Sequence, residues 1–185
     1  MTFSILPRQR NFKAAIVNGV RHDGGIAATE FAIILPVLLL VLMGVMELTN
    51  ALSAKRKLLN AVQSASSLIG QQTNVTTADL DTFNLAARLT MSPLDVSTMT
   101  IGVASVRFDD TSGAPVLDWT ASYGGGVVVD PLLKADGRGE AGDSIIITTG
   151  TYIYTPLIKL ILPVSFVMSE TTYVRPRTVS WVMKY

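Results

Sequence analysis

The sequence contains no cysteine and only one histidine, His22, among its 185 residues. Without cysteine the chain can form neither disulfides nor thiolate metal sites, and it has no thiol nucleophile. Because no histidine follows position 22, the rest of the chain cannot carry a Ser-His-Asp triad or a histidine-ligated metal. We find no other pairing of a nucleophile with a base, and we therefore predict no enzyme activity and no catalytic residue.

Two glycine-rich stretches are candidates for ligand sites. Residues 124–126 are three glycines, but no Lys-Ser or Lys-Thr pair follows them, as a nucleotide-binding loop would require. Residues 136–143 contain three acidic side chains among glycines, at a spacing that does not fit an EF-hand. The sequence therefore predicts no cofactor, no metal site and no small-molecule substrate.

Charged residues are also scarce, at 16% of the chain, and they are unevenly distributed. The first 25 residues carry four basic side chains against one acidic side chain, whereas the remaining residues have a net charge of −2. This distribution provides no basic face for nucleic acid. It favours a cytoplasmic N-terminus, although the basic residues at 55–57 weaken that bias.

The longest feature of the sequence is an apolar run from Ile26 to Met46, interrupted only by Thr29 and Glu30. As a helix it would be about 30 Å long, enough to cross the hydrocarbon core of a bilayer. It has no polar face of the kind that a surface helix of a soluble protein shows. A fully buried core helix is the alternative, but the rest of the chain is short for surrounding one.

Glu30 is the residue that a plain membrane anchor would not need. An ionised carboxylate within an apolar segment costs about 2.5 kcal/mol or more unless it lies near the interface or is paired. In a simple anchor, water at the lipid headgroups would solvate it. Alternatively, cleavage between Gly25 and Ile26 would create an α-amino group one helical turn away, and the amine of a neighbouring subunit could then pair with this carboxylate.

The stretch Gly25-Ile-Ala-Ala-Thr-Glu-Phe-Ala-Ile-Ile-Leu-Pro36 resembles the processing site of type IV pilin-like proteins. More narrowly, it resembles the TadE/TadG pseudopilin family of tight-adherence (Tad, Flp) pilus systems, with Gly44 and Glu47 at the helix exit. The run Tyr152-Ile-Tyr-Thr-Pro-Leu157 is similar to a Tyr-x-Tyr-x-Pro strand end in the same family. From the residues alone, these tyrosines are better explained as packing side chains of a sheet than as a binding site.

The resemblance implies that a prepilin peptidase cleaves between Gly25 and Ile26, and that Glu30 and Phe31 act in assembly. The implied partners are this peptidase, pilin and other pseudopilin subunits, and lipid of the inner membrane. The implied location is the inner membrane, crossed once, with the C-terminal domain in the periplasm or carried into an extracellular pilus.

The rest of the chain predicts a small α+β domain. Helical spacing of apolar residues continues to Ile69 and stops at Gly70. Because this repeat is short for a coiled coil with another subunit, packing of the helix on its own domain is favoured. A capping pair, Thr76 and Asp79, predicts a helix over residues 78–90. Alternating patterns predict strands at 101–108, 116–123, 144–154, 165–174 and 178–184, the first half-buried, and the glycines at 124–126 predict a flexible stretch.

We therefore predict a leader at 1–25, a transmembrane helix at 26–47, an amphipathic extension at 48–70 and a periplasmic α+β domain at 71–185. In this fold class, a long membrane-spanning helix continues into an amphipathic helix that packs on a small, mostly antiparallel sheet. The predicted function is that of a minor pilin-like subunit in Tad/Flp pilus assembly and adhesion. The alternative is an uncleaved single-pass anchor that presents a partner-binding domain.

Overall fold

A computed structural model describes residues 23–185, so most of the predicted leader, residues 1–22, lies outside the described residues. The elements are α1 (Asp23–Gly70), β1 (Asn74–Val75), α2 (Thr77–Thr90), β2 (Thr100–Phe108), β3 (Pro115–Tyr123), α3 (Pro131–Ala135), β4 (Ser144–Tyr154), β5 (Phe166–Val174) and β6 (Met183–Lys184). The long helix with a mostly antiparallel sheet confirms the predicted α+β class.

The chain divides into two compact units between Gly44 and Val45. Within the first unit, every described side chain from residue 25 to residue 43 is exposed, including the large apolar ones. The helix that contains this stretch is long and apolar enough to span a membrane by length and composition. The exposed apolar surface therefore requires an apolar surrounding that residues 23–185 do not supply.

In the second unit, the remainder of α1 packs on one face of the sheet. Its buried side chains recur at helical spacing and are mostly small: Ala51, Ala54, Leu58, Ala61, Val62, Ala65 and Ile69. They share a core with Ile101 and Val103 of β2 and Ile146 of β4. The expected packing of this stretch on its own domain is confirmed.

The main sheet has four strands in the order β3-β2-β4-β5, and every neighbouring pair is antiparallel. β2 and β3 form the predicted hairpin, in which Asp109 Oδ1 accepts hydrogen bonds from Thr111 N and Ser112 N at 3.1 and 2.8 Å. The predicted capping box of α2 is also present, since Thr76 Oγ1 accepts from Asp79 N and Thr76 N donates to Asp79 Oδ2. Both elements depend on contacts between residues that are close in sequence, which is why the sequence pattern predicts them.

The prediction of a half-buried first strand was wrong, because β2 is covered on both faces. The opposite face from α1 carries a second core made of Val106, Phe108, Ala135, Ile145 and Ile147. The connection after β3, predicted to be a flexible stretch, runs closely over this central strand. A Cβ at Gly102 would lie 2.5 Å from the backbone of Val127, so the chain approaches β2 without room for a side chain.

The predicted strand at 178–184 is much shorter than expected. Only Met183–Lys184 pairs, in parallel with Asn74–Val75, as a separate two-stranded sheet. Trp119 Nε1 donates to Val182 O at 2.8 Å, which holds this C-terminal segment against β3. The segment is thus positioned by side-chain contacts to the sheet rather than by a long ladder of its own.

Candidate functional site

The four residues predicted for processing and assembly all lie in the exposed first part of α1. Gly25 follows Asp23, the first helical residue, by two positions, and a Cβ placed on it would meet nothing within 4 Å. Ile26 and Phe31 are each 58% exposed, and Glu30 is exposed as well. All four residues therefore lie in the exposed part of the first unit.

The helical spacing sets how these residues can act together. Ile26 and Glu30 are four residues apart, which places them on one face of the helix and separated by about one turn. Thr29 Oγ1 donates to Ile26 O at 2.8 Å, so the polar hydroxyl is bonded within the helix. Glu30 is exposed and forms no ion pair with any residue from 23 to 185.

A second site, which the sequence did not predict, surrounds Glu47 in the C-terminal unit. Glu47 lies one residue beyond the apolar run, yet its side chain is fully buried. Its Oε1 accepts a hydrogen bond from Tyr154 Oη at 2.7 Å and a longer one from Leu157 N at 3.3 Å. Its Oε2 accepts from Ile158 N at 3.0 Å. Both carboxylate oxygens are thus bonded to the end of β4 and the loop after it.

Three donors explain how a carboxylate can be buried at this position. An unpaired buried charge would cost several kcal/mol, whereas a carboxylate that accepts several hydrogen bonds is compensated for its lost water. The contact also affects Tyr154, because burial and the neighbouring carboxylate raise the pKa of its hydroxyl to about 12. Tyr154 therefore stays protonated and donates to Glu47 at neutral pH.

The sequence indicates a place for each partner of this bond but no link between them. It predicts Glu47 at the helix exit and Tyr154 as a packing residue of the sheet. The second interpretation was incomplete, since Tyr154 is in the core but its hydroxyl binds Glu47. A usable signal was present: a lone acidic residue that ends a long apolar run must be solvated or bonded, and a tyrosine hydroxyl is a suitable donor.

The acidic loop at 136–143 is held by contacts within the domain. Arg175 Nη1 lies 3.2 Å from Asp143 Oδ2, and Arg175 Nη2 donates to Arg138 O at 2.8 Å. The guanidinium of Arg138 in turn stacks over Tyr173, 4.1 Å from the ring centre. Among residues 23–185, no group of three or more acidic or histidine side chains is arranged to hold a metal.

Comparison with known protein families gives a match to the long helix. The family model described as TadE-like protein matches residues 25–66, beginning at the glycine of the predicted cleavage site. The match ends well before Tyr152, so the similarity noted around the two tyrosines lies outside it. No curated protein and no solved structure matches the chain. The resemblance inferred from the sequence is confirmed for the long helix, whose residues 25–66 match the TadE-like family model.

Proposed function

We propose that the chain is a minor pilin-like subunit that a prepilin peptidase cleaves after Gly25 and that then takes part in Tad/Flp pilus assembly and adhesion. The observation that carries the proposal is the coincidence of the family match with the motif: the match begins at residue 25, and the motif residues lie on an exposed helical face. The TadE-like family suggests a pilus-associated role, and the exposed apolar helix suggests membrane anchoring.

In this proposal the inner membrane holds the apolar part of α1, and the C-terminal domain lies in the periplasm. Cleavage leaves Ile26 as the first residue, with its α-amine close to the exposed end of the helix. In an assembled pilus, the carboxylate of Glu30 pairs with such an amine on a neighbouring subunit. Pairing in an apolar surrounding offsets the desolvation of both charges, which favours one axial register between adjacent helices.

The role is structural, without catalytic turnover. The two sets of polar contacts that could resemble a site, at Glu47 and at residues 136–143, are satisfied within the domain. The proposed partners are therefore the peptidase, pilin and other pseudopilin subunits, and lipid. The competing function is an uncleaved anchor with a partner-binding domain, which requires neither Gly25 nor Glu30.

The first experiment determines the N-terminal residue of the protein recovered from membranes of cells that contain its own secretion machinery. Intact mass and N-terminal peptide mapping should give a chain that begins at Ile26. Gly25→Ala should block this cleavage, and because the added methyl meets nothing, a block reports on recognition by the peptidase and not on misfolding. Gly44→Ala, in the same helix, is the control that should be cleaved normally. A wild-type chain that still begins at Met1 in active cells contradicts the proposal.

A second experiment tests assembly separately from processing. Glu30→Gln should be cleaved but should copurify with pilin subunits several-fold less than the wild type. Glu140→Gln removes an exposed carboxylate from the C-terminal domain and serves as the control. Equal recovery of pilin with all three proteins would favour the uncleaved or unassembled anchor.

A further inference from the structure

The loop between β4 and β5, residues 155–165, is unusual for an exposed connection because it is almost entirely apolar. Its sequence from 156 to 164 is Pro-Leu-Ile-Lys-Leu-Ile-Leu-Pro-Val, with one charged residue, Lys159. Leu157, Leu160 and Val164 are 80%, 75% and 68% exposed. Three large apolar side chains exposed together on one short loop form a patch of the kind that marks an interaction surface.

The position of this loop is fixed by Glu47. The carboxylate accepts from the backbone N–H groups of Leu157 and Ile158, and it lies one residue after Met46, where the apolar run ends. The 155–165 loop is therefore attached to α1 at Glu47, directly after the apolar run. Met46 and Leu48, the two neighbours of Glu47 in the chain, are also exposed.

The backbone of the loop is also prepared for an apolar surrounding. Leu157 and Ile158 donate to Glu47, while Ile161 N and Leu162 N donate to Ile158 O at 3.1 and 3.3 Å. The two prolines carry no N–H group at all. Six of the nine residues at 156–164 therefore have no N–H left to be solvated by water, which reduces the cost of entering lipid.

We propose that the 155–165 loop inserts into the lipid headgroup and upper acyl region of the leaflet from which α1 emerges, as a second membrane contact of the C-terminal domain. Leu157, Leu160 and Val164 enter the acyl boundary, and the ammonium of Lys159 reaches the lipid phosphates. Lipid is the occupant because the loop is held to α1 directly after the apolar run and carries a cation that matches anionic headgroups. This inference rests on the proposed membrane anchoring through α1.

Because the chain has no cysteine, single cysteines can carry a nitroxide spin label without further changes. Three variants of the full chain are reconstituted in vesicles of phosphatidylethanolamine and phosphatidylglycerol: Leu160→Cys in the loop, Leu38→Cys in the apolar helix, and Leu133→Cys on α3. Leu133 is 74% exposed, which matches Leu160 closely, but it lies on an element that packs on the other face of the sheet. Each label is tested for collision with oxygen, which concentrates in lipid, and with a nickel chelate, which stays in water.

The expected result is an oxygen-to-nickel accessibility ratio at position 160 that is several-fold above that at 133 and below that at 38. If position 160 behaves like position 133 while position 38 reports lipid, the inference is overturned and the anchoring stands. If position 38 itself is aqueous, the anchoring fails and the inference fails with it. Protection of position 160 that appears only when pilin subunits are added would identify a protein partner and would also overturn the inference.

Discussion

The two parts of α1 differ in the size of the side chains that they present to their surroundings. Before Gly44, large side chains point outward on all sides, as in the run Val-Leu-Leu-Leu-Val-Leu-Met at 37–43. From Ala51 onward, four of the seven buried apolar side chains of the helix are alanines, and the strand residue Gly150 lies against Val62. A fluid apolar medium adapts to any side-chain shape, whereas a sheet does not, so only the second part needs small residues at fixed positions.

The largest expected effect contrasts two leucines of the same helix. Leu58→Ala should lower the free energy of unfolding of the C-terminal domain by about 2–5 kcal/mol, because it leaves a cavity between the helix and the sheet. Leu40→Ala, in the exposed first part, should leave that free energy unchanged. Urea unfolding of the full chain in detergent, followed by tryptophan fluorescence, measures both, since Trp119 and Trp181 lie in the domain.

Equal losses in the two leucine variants would contradict the distinction between the two parts of the helix. That outcome would show that the first part also contributes to the folded core of the domain. A loss in Leu58→Ala alone would confirm that the domain folds on the second part and that the first part is free to meet lipid.

The next effect concerns the buried carboxylate of Glu47. Tyr154→Phe removes the hydrogen bond to the buried carboxylate of Glu47 and should cost about 1.5–3 kcal/mol, the range for bonds to charged groups. Tyr185→Phe, at an exposed tyrosine, is the control and should cost almost nothing. The same urea unfolding experiment at neutral pH compares the three proteins.

The pH dependence of this difference has a definite sign. The pKa of Tyr154 is raised to about 12 in the folded protein, whereas that of an unfolded tyrosine is about 10. The protonated hydroxyl therefore stabilises the fold fully below about pH 10, and this contribution is lost as the pH rises toward 12. The stability gap between wild type and Tyr154→Phe should narrow over that interval. Tyr123, whose pKa is also raised to about 12, contributes equally to both proteins and cancels. A gap that is constant across this interval would contradict the raised pKa that burial and Glu47 give Tyr154.

What could be predicted from the sequence is the set of features that depend on neighbours along the chain. The extent of α1, the capping box of α2 and the β2–β3 hairpin follow from spacing, caps and turn residues within a few positions. The α+β class follows from the same signals. The match that begins at residue 25 likewise rests on one continuous stretch.

What could not be predicted depends on pairs that are distant in sequence. Glu47 and Tyr154 are separated by 107 positions, and no local pattern indicates that β4 ends beside the helix exit. The close approach of Val127 to Gly102 similarly depends on how the connection after β3 crosses the sheet. The segment 178–184 has a strand-like composition, but only two of its residues pair with another strand. Their partners, Asn74 and Val75, are distant in sequence, so no local pattern predicts the length of this pairing.

The smallest expected effect tests how closely the second part of α1 fits the sheet. A Cβ at Gly150 would contact Val62 Cγ2 and would lie 3.4 Å from Leu58 Cδ1. Because the buried side chain of Val62 must move to admit the methyl, Gly150→Ala should cost about 1–2 kcal/mol, toward the low end for overpacking. In the double variant Gly150→Ala/Val62→Ala, the new methyl fills space that the valine vacates, so the summed single losses should exceed the loss of the pair.

Gly25→Ala is the matched glycine of the first part, where an added methyl meets nothing, and it should leave the unfolding of the domain unchanged. Strictly additive losses at Gly150 and Val62 would show that the two residues do not contact each other and that α1 lies farther from β4 than described. If the losses at Gly150 and Val62 are instead coupled, the two residues contact each other, and small side chains are required where the second part of the helix packs on the rigid sheet.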